Sequence, residues 1–341
     1  MKKITLSFFL LLLYLTLSAQ DVNLIANKAL HLSLDDEIDS IDFILVDTTL
    51  AEKKSVFLFC QGSLPIPLFI RLEDQRLFMQ AGGIANFDLE FIRKQYHLIV
   101  ISMPQTPLIA DQKQLGQNFA YGPDPDKPGY LSREFREADY LENYVLRAQK
   151  VMDFLFQQEW VDTSSFVLAG HSQGSKVAAS LAKVDKRVSH LGLFAPNPFG
   201  RIDQFIREAR LEVEKGKKDW EDANKAMEET YNFFRLVHSK EGLEKHPEFL
   251  AWRSFSYPFY QDWLKLDIPI YLAYGTEDRS SDLCDIIPLF FIQEGKENLS
   301  FHRYPYLEHN FFEVEEGKVN YEKAHWPEVM NAFVEWSLKA D

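Results

Sequence analysis

Short runs of almost wholly apolar residues alternate along this chain with longer stretches in which apolar positions recur every three or four residues. The first pattern belongs to strands buried on both faces, the second to amphipathic helices laid on a sheet. Strands are predicted at 41–46, 55–60, 97–103, 166–170, 191–195, 268–274 and 299–304. Between the third and fourth of these, Leu141, Tyr144, Val145, Ala148, Val151, Met152 and Leu155 make one helical stripe, and a further helix is predicted over 327–338. Such alternation predicts an α/β fold: a mostly parallel central sheet with helices on both faces.

Two segments interrupt the pattern. Residues 104–130, which include YGPDPDKPGY, are rich in Pro, Gly and Asp and too long for an ordinary connection, so they read as a functional or partly disordered loop. Residues 199–266 are charged, helical in pattern and dense in aromatics, among them Trp220, Phe233, Trp252, Phe259 and Trp263. They stand where one crossover helix would suffice and predict an inserted helical cap, its aromatics mostly core with a few lining a pocket. No internal repeat is visible.

The start of the chain, MKKITLSFFLLLLYLTLSAQDV, has the three parts of a secretory signal: a basic pair, an apolar run, and a small and polar end. The apolar run falls short of the ~20 residues needed to cross a bilayer core. Cleavage is expected after Ala19, which places the protein outside the cytoplasm, secreted or periplasmic, with no stable membrane insertion afterwards. The expected division is then 1–19 signal peptide, 20–198 first part of the core, 199–266 cap, and 267–341 second part of the core.

Composition narrows the function classes. A chain of 341 residues that is 46% hydrophobic and 26% charged buries a full core, and a net charge of −14 argues against nucleic acid or an anionic membrane as partner. Cys60 and Cys284 are far apart in sequence and could be free or bridged; no finger-like spacing of Cys and His indicates a zinc site. No metal and no organic cofactor is implied. Oligomeric state is not legible.

The candidate chemistry lies in SSFVLAGHSQGSKVAASLA, where an apolar run enters Gly170-His171-Ser172-Gln173-Gly174 and a helix-compatible stretch follows at once. A Gly-x-Ser-x-Gly pentapeptide arises by chance in roughly one chain in ten of this length, so its context has to decide. A serine hydroxyl needs a base within reach, an acid to orient the base, and donors for an oxyanion. Each has a candidate at a strand end. Asp278 follows IPIYLAYG, with Glu277, Asp282 and Asp285 as local rivals; His309 follows the last predicted strand, with His302, His325 and His171 less favourably placed. Upstream, Gln61-Gly62-Ser63-Leu64 closes another strand, with a glycine that allows a tight turn. Arg133 and Arg136, after the long loop, read as surface residues at a helix start, with binding of a substrate carboxylate as the alternative.

In this motif, its strand-to-helix setting and the chain order Ser, Asp, His, the sequence resembles the α/β-hydrolase fold family from about Ile41 onward, the cap excepted. The resemblance implies Ser172 as nucleophile, His309 as general base and acid, Asp278 as orienting carboxylate, and the Gln173 N–H as one oxyanion donor, with Ser63 or Leu64 supplying the second. Many relatives carry His-Gly after the early strand, where this chain has Gln61-Gly62. The expected activity is hydrolysis of a small-molecule or acyl substrate through an acyl-enzyme, carboxylic esters first because an alcohol leaves more readily than an amine. A serine peptidase, amidase or thioesterase is the alternative on the same fold, and a non-catalytic binding module the alternative of another class.

Overall fold

The computed structural model describes residues 23–35 and 39–339; the signal segment and its cleavage site lie outside them. Nine strands form the central sheet: β1 (Asn23–Ile25), β2 (Ala29–Leu34), β3 (Ile41–Leu45), β4 (Lys54–Cys60), β5 (Tyr96–Ile101), β6 (Val161–His171), β7 (His190–Phe194), β8 (Ile270–Gly275) and β9 (Leu299–Tyr304). Their spatial order is β1-β2-β3-β5-β4-β6-β7-β8-β9. From β5 to β9 every neighbouring pair is parallel, and β1, β2 and β3 extend one edge antiparallel.

All seven expected strands are in this sheet. Along β4 the side chains alternate between two cores: Val56 and Leu58 face one cluster, Phe57 and Phe59 the other, and all four are buried. Full burial of side chains of this size stabilises by roughly 1.5–3 kcal/mol each. The first face carries the helices α3 (Leu141–Leu155) and α4 (Gln173–Val184), through Ala148, Val151, Met152, Val177, Ala178 and Leu181. The second carries α1 (Leu89–Gln95) through Ile92 and α11 (Trp326–Ser337) through Val329, Met330, Phe333 and Val334. These layers hold the C-terminal ends of the parallel strands in a row, which is where ligands bind in open α/β sheets.

Between β7 and β8 the chain makes five helices: α5 (Asp203–Glu214), α6 (Trp220–Val237), α7 (Lys240–Lys245), α8 (Phe249–Ser254) and α9 (Tyr260–Trp263). Phe255, Phe259 and Trp263 are fully buried and join the core beneath α4, whereas Trp220, Tyr231 and Phe234 are exposed. The remaining helices are α2 (Arg133–Ala138) and α10 (Ile287–Gln293).

Two features depart from the sequence reading. Residues 104–130 are built into the fold: Ile109–Asp111 pairs in parallel with Phe69–Arg71, and Leu115 bridges Tyr121. The long Pro- and Gly-rich run conceals this because three-residue strands carry no readable periodicity. The hairpin Phe312–Glu315 with Lys318–Ala324, just after the His309 loop, is likewise not anticipated. Both cysteines are free thiols; Cys284 is buried with its sulfur 3.4 Å from the Pro196 carbonyl oxygen.

Candidate active site

β6 delivers its apolar run into a sharp elbow. Ser172 takes φ 55° and ψ −121°, a conformation that side-chain-bearing residues seldom adopt, and α4 begins at the next residue. The glycines on either side make the turn possible. A Cβ on Gly170 would stand 2.1 Å from the Gly174 carbonyl oxygen, and one on Gly174 would stand 2.1 Å from that of Cys60. The Ser172 N–H donates to the Phe194 carbonyl at 2.9 Å and ties the elbow to β7. Backbone strain of this kind costs on the order of 1–3 kcal/mol and persists only where the surroundings over-determine it.

The structure brings the three separated candidates together. His309 Nε2 lies 2.9 Å from Ser172 Oγ, and His309 Nδ1 lies 2.8 Å from Asp278 Oδ2. The loops that carry the acid and the histidine are fastened to one another: the Glu277 N–H donates to the Leu307 carbonyl, and Gly275 packs so closely that a Cβ there would meet that same oxygen at 2.0 Å. Two serines that the sequence reading passed over complete the acid's environment. The Ser280 N–H and hydroxyl donate to Asp278 Oδ1 at 2.9 and 2.7 Å, and the Ser281 hydroxyl donates to Oδ2 at 2.6 Å. Their signal was present as the Ser-Ser pair directly after Asp278-Arg279, since hydroxyls two and three residues beyond a carboxylate form local turns with it.

The rivals are engaged elsewhere. Asp282 pairs with Arg207, Asp285 with Arg303 and the Tyr274 hydroxyl, and Glu277 is exposed. His302 stacks on Tyr271 and His325 sits between Glu313 and Glu328. Arg133 pairs with Glu137 on the surface, and Arg136 lies over the Tyr130 ring. His171 packs beside His309, ring centroids 4.9 Å apart, with its Nε2 2.8 Å from the His309 carbonyl oxygen.

Charge is set by these contacts. Burial works to raise the Asp278 pKa, but the His309 charge and the hydrogen bonds from His309, Ser281 and Ser280 outweigh it and bring the carboxyl to about 2. For His309, burial works downward, and the charge and hydrogen bond of Asp278, with Glu308 behind them, prevail and leave it raised. Burial, followed by the His309 charge, pushes His171 down to about 3. His171 is therefore neutral, and its Nε2 proton can donate to the His309 carbonyl and hold that loop.

Next to Ser172 lies a cavity of about 170 Å³ whose wall includes Ser63 and Gln173. Gln173 is the first residue of α4, so its N–H has no acceptor within the helix and is free for an incoming anion. The turn after β4 passes close by: a Cβ on Gly62 would sit 3.9 Å from Ser172 Cβ. Of the two second-donor candidates, Ser63 lines this cavity and Leu64 does not. Gln61 is buried, and its side-chain amide donates to the Ile101 carbonyl on the neighbouring strand, so it anchors the turn. A second, outer cavity of about 640 Å³ opens between α5 and the loops bearing Asp278 and His309. Among the described residues, no three His, Cys, Asp or Glu side chains are grouped to hold a metal ion, and no helix is long and apolar enough to cross a membrane.

No protein-family model matches the sequence, and no curated protein sequence matches it. Solved structures do match. An acylaminoacyl peptidase of Pyrococcus horikoshii is similar over 92% of this chain at 12% identity, with a TM-score of 0.52, and the match covers 42% of that chain. The thioesterase domain from the curacin biosynthetic pathway is similar over 92% of this chain and 100% of its own, at 12% identity and a TM-score of 0.50. The chain therefore spans under half of the peptidase it matches, and at this identity the likeness speaks for architecture. With its parallel strand order, its elbow and the placement of Ser172, Asp278 and His309, the chain has the α/β-hydrolase fold.

Proposed function

We propose that this protein is an exported serine hydrolase that cleaves carboxylic esters through an acyl-enzyme, with 199–266 acting as a cap over the site. The observation that carries the reading is the continuous hydrogen-bonded chain from Ser172 Oγ through His309 to Asp278, set on a strained elbow. Ser172 Oγ attacks the ester carbonyl while His309 Nε2 takes its proton, and Asp278 holds the imidazole in the tautomer that makes this possible. The oxyanion is met by the Gln173 N–H and, from the turn after β4, by the Ser63 N–H. His309 then returns the proton to the leaving alcohol. Water, deprotonated by the same imidazole, attacks the acyl-enzyme and releases the acid, so one ester and one water give one acid and one alcohol.

Export rests on the leader sequence, and is tested by sequencing the N-terminus of the protein recovered from outside the cytoplasm: Gln20 is expected first. The activity is tested with matched nitrophenyl esters, aminoacyl anilides and acyl thioesters at equal concentration. Esters are expected to turn over fastest, and faster turnover of anilides would instead make the enzyme a peptidase.

A further inference from the structure

The cavity beside Ser172 has an unusual wall. Two cations, Lys176 and Arg201, line it together with Ser63, Asn197 and Ser280. Lys176 stands one helical turn beyond Ser172 on the same face of α4 and is only 4% exposed. Its ammonium donates to the Phe255 carbonyl at 2.9 Å and lies over the Phe259 ring, with no carboxylate of the described residues in contact. The Arg201 guanidinium stacks on Trp252 at 4.3 Å from the ring centroid and donates no hydrogen bond to any described residue, so its five N–H groups are unspent. Asn197 turns its side-chain oxygen to the N–H groups of Phe199 and Gly200, and its buried NH₂ group has no partner.

The neighbouring acids act on these cations through charge without a hydrogen bond to either. Asp139 attracts Arg201 while accepting from the Tyr144 hydroxyl and the Gln173 side chain; Asp203 attracts Lys176, its Oδ2 paired with Arg207 and its buried Oδ1 without a partner. Enclosed cations and donors without partners carry a desolvation cost that a bound anion would relieve. Consistent with this, burial and then the charge of Arg201 push Lys176 down to about 7.

We propose that this cavity receives the free carboxylate of a short dicarboxylic half-ester, held by Arg201, Lys176 and Asn197 while its ester carbonyl sits at Ser172. The inference rests on the serine-hydrolase reading and names the substrate class. Two observations orient the substrate. His309, which protonates the leaving alcohol, lines the outer cavity and not the inner one, so the alcohol departs outward and the acyl group stays within. Lys176 lies four residues beyond Ser172 on α4, a rise of about 6 Å, which suits an acyl chain of about four or five carbons, the two carboxyl carbons included. One half-ester and one water give one dicarboxylic acid and one alcohol.

The test compares monomethyl glutarate with methyl valerate, of equal acyl length, by following released methanol with proton NMR. Calorimetric titration of glutarate into the Ser172→Ala protein provides a readout without turnover. Wild type should favour the half-ester at least tenfold in kcat/KM, chiefly through KM. Arg201→Gln should reduce that ratio at least tenfold, Arg201→Lys should retain part of it, and the surface variant Arg133→Gln should leave it unchanged. Glutarate should bind Ser172→Ala protein and be lost when Arg201→Gln is added. Lys176→Met serves in the same assays should Arg201→Gln fail to fold. Methyl valerate cleaved as well as the half-ester, or a preference that survives both Arg201→Gln and Lys176→Met, would overturn the proposal. Glutarate binding that depends on Arg201, in a protein that hydrolyses neither ester, would sustain the carboxylate site and sink the hydrolase reading.

Discussion

His309 Nε2 and Ser172 Oγ stand 2.9 Å apart although 137 positions separate them in the chain. The contact depends on two rigid devices: the elbow that fixes Ser172, and the fastening of the Leu307 carbonyl to the Glu277 N–H, which carries the histidine loop against the acid loop. A serine and a histidine held in this way, with the far ring nitrogen on a buried carboxylate, form a proton path between the hydroxyl and the imidazole.

Asp278 should be the acid on which turnover depends. Asp278→Asn presents His309 with an amide and favours the wrong tautomer, a change expected to lower kcat by about 10⁴. Asp282→Asn and Asp285→Asn disturb contacts with Arg207 and Arg303 at partly exposed positions, and should leave kcat within about threefold of wild type. Steady-state kinetics on the three purified variants decides between them. A loss at Asp282 equal to that at Asp278, in folded proteins, would reassign the acid.

The pH profile should follow His309. Because the imidazole must be neutral to accept the serine proton, kcat/KM rises with pH through its ionisation. Asp278 raises that ionisation above the usual histidine value of 6.5, so half-maximal kcat/KM should lie above it and activity should fall as pH drops. Asp278→Asn removes the raising charge and leaves burial unopposed, so the inflection should move to lower pH in the residual activity. His171, held near 3, should add no inflection between pH 5 and 9. A profile flat across that range, with chemistry limiting, would exclude a histidine base.

The elbow should be intolerant at Gly174 and tolerant at Gly62. A Cβ at Gly174 would meet the Cys60 and Gln61 carbonyl oxygens at 2.1 and 2.4 Å, and these are backbone atoms that cannot swing aside. Gly174→Ala should therefore cost at least about 1–3 kcal/mol in urea unfolding. At Gly62 the nearest contact would be ordinary, 3.9 Å to Ser172 Cβ, so Gly62→Ala should change stability by no more than about 0.5 kcal/mol.

The sequence made the central sheet legible because most of its parallel strands are buried on both faces and read as continuous apolar runs. Of the antiparallel edge, Ile41–Leu45 was legible but Ala29–Leu34 was not: it alternates Leu with His and Ser and lies close behind the leader, where its period-two pattern is short. Ser172, Asp278 and His309 were legible because each sits at the end of a readable strand. Ser280 and Ser281 were not singled out, because a hydroxyl in a polar loop has no periodicity to betray it. Lys176 and Arg201 escaped for a different reason. One lies on a helix and the other on the connection after β7, and only the packed fold shows that both face the same small cavity.

The most direct test is reaction of the folded protein with a fluorophosphonate, followed by peptide mapping of the adduct. Ser172→Ala should keep the melting temperature, because the hydroxyl supports no packing, and should lose about 10⁶ in kcat. Wild type should carry one phosphonyl group, on Ser172; His309→Ala should label far more slowly, and Ser172→Ala not at all. A folded wild-type protein that resists the reagent, or carries the label on another residue, would contradict the assignment of Ser172 as an activated nucleophile.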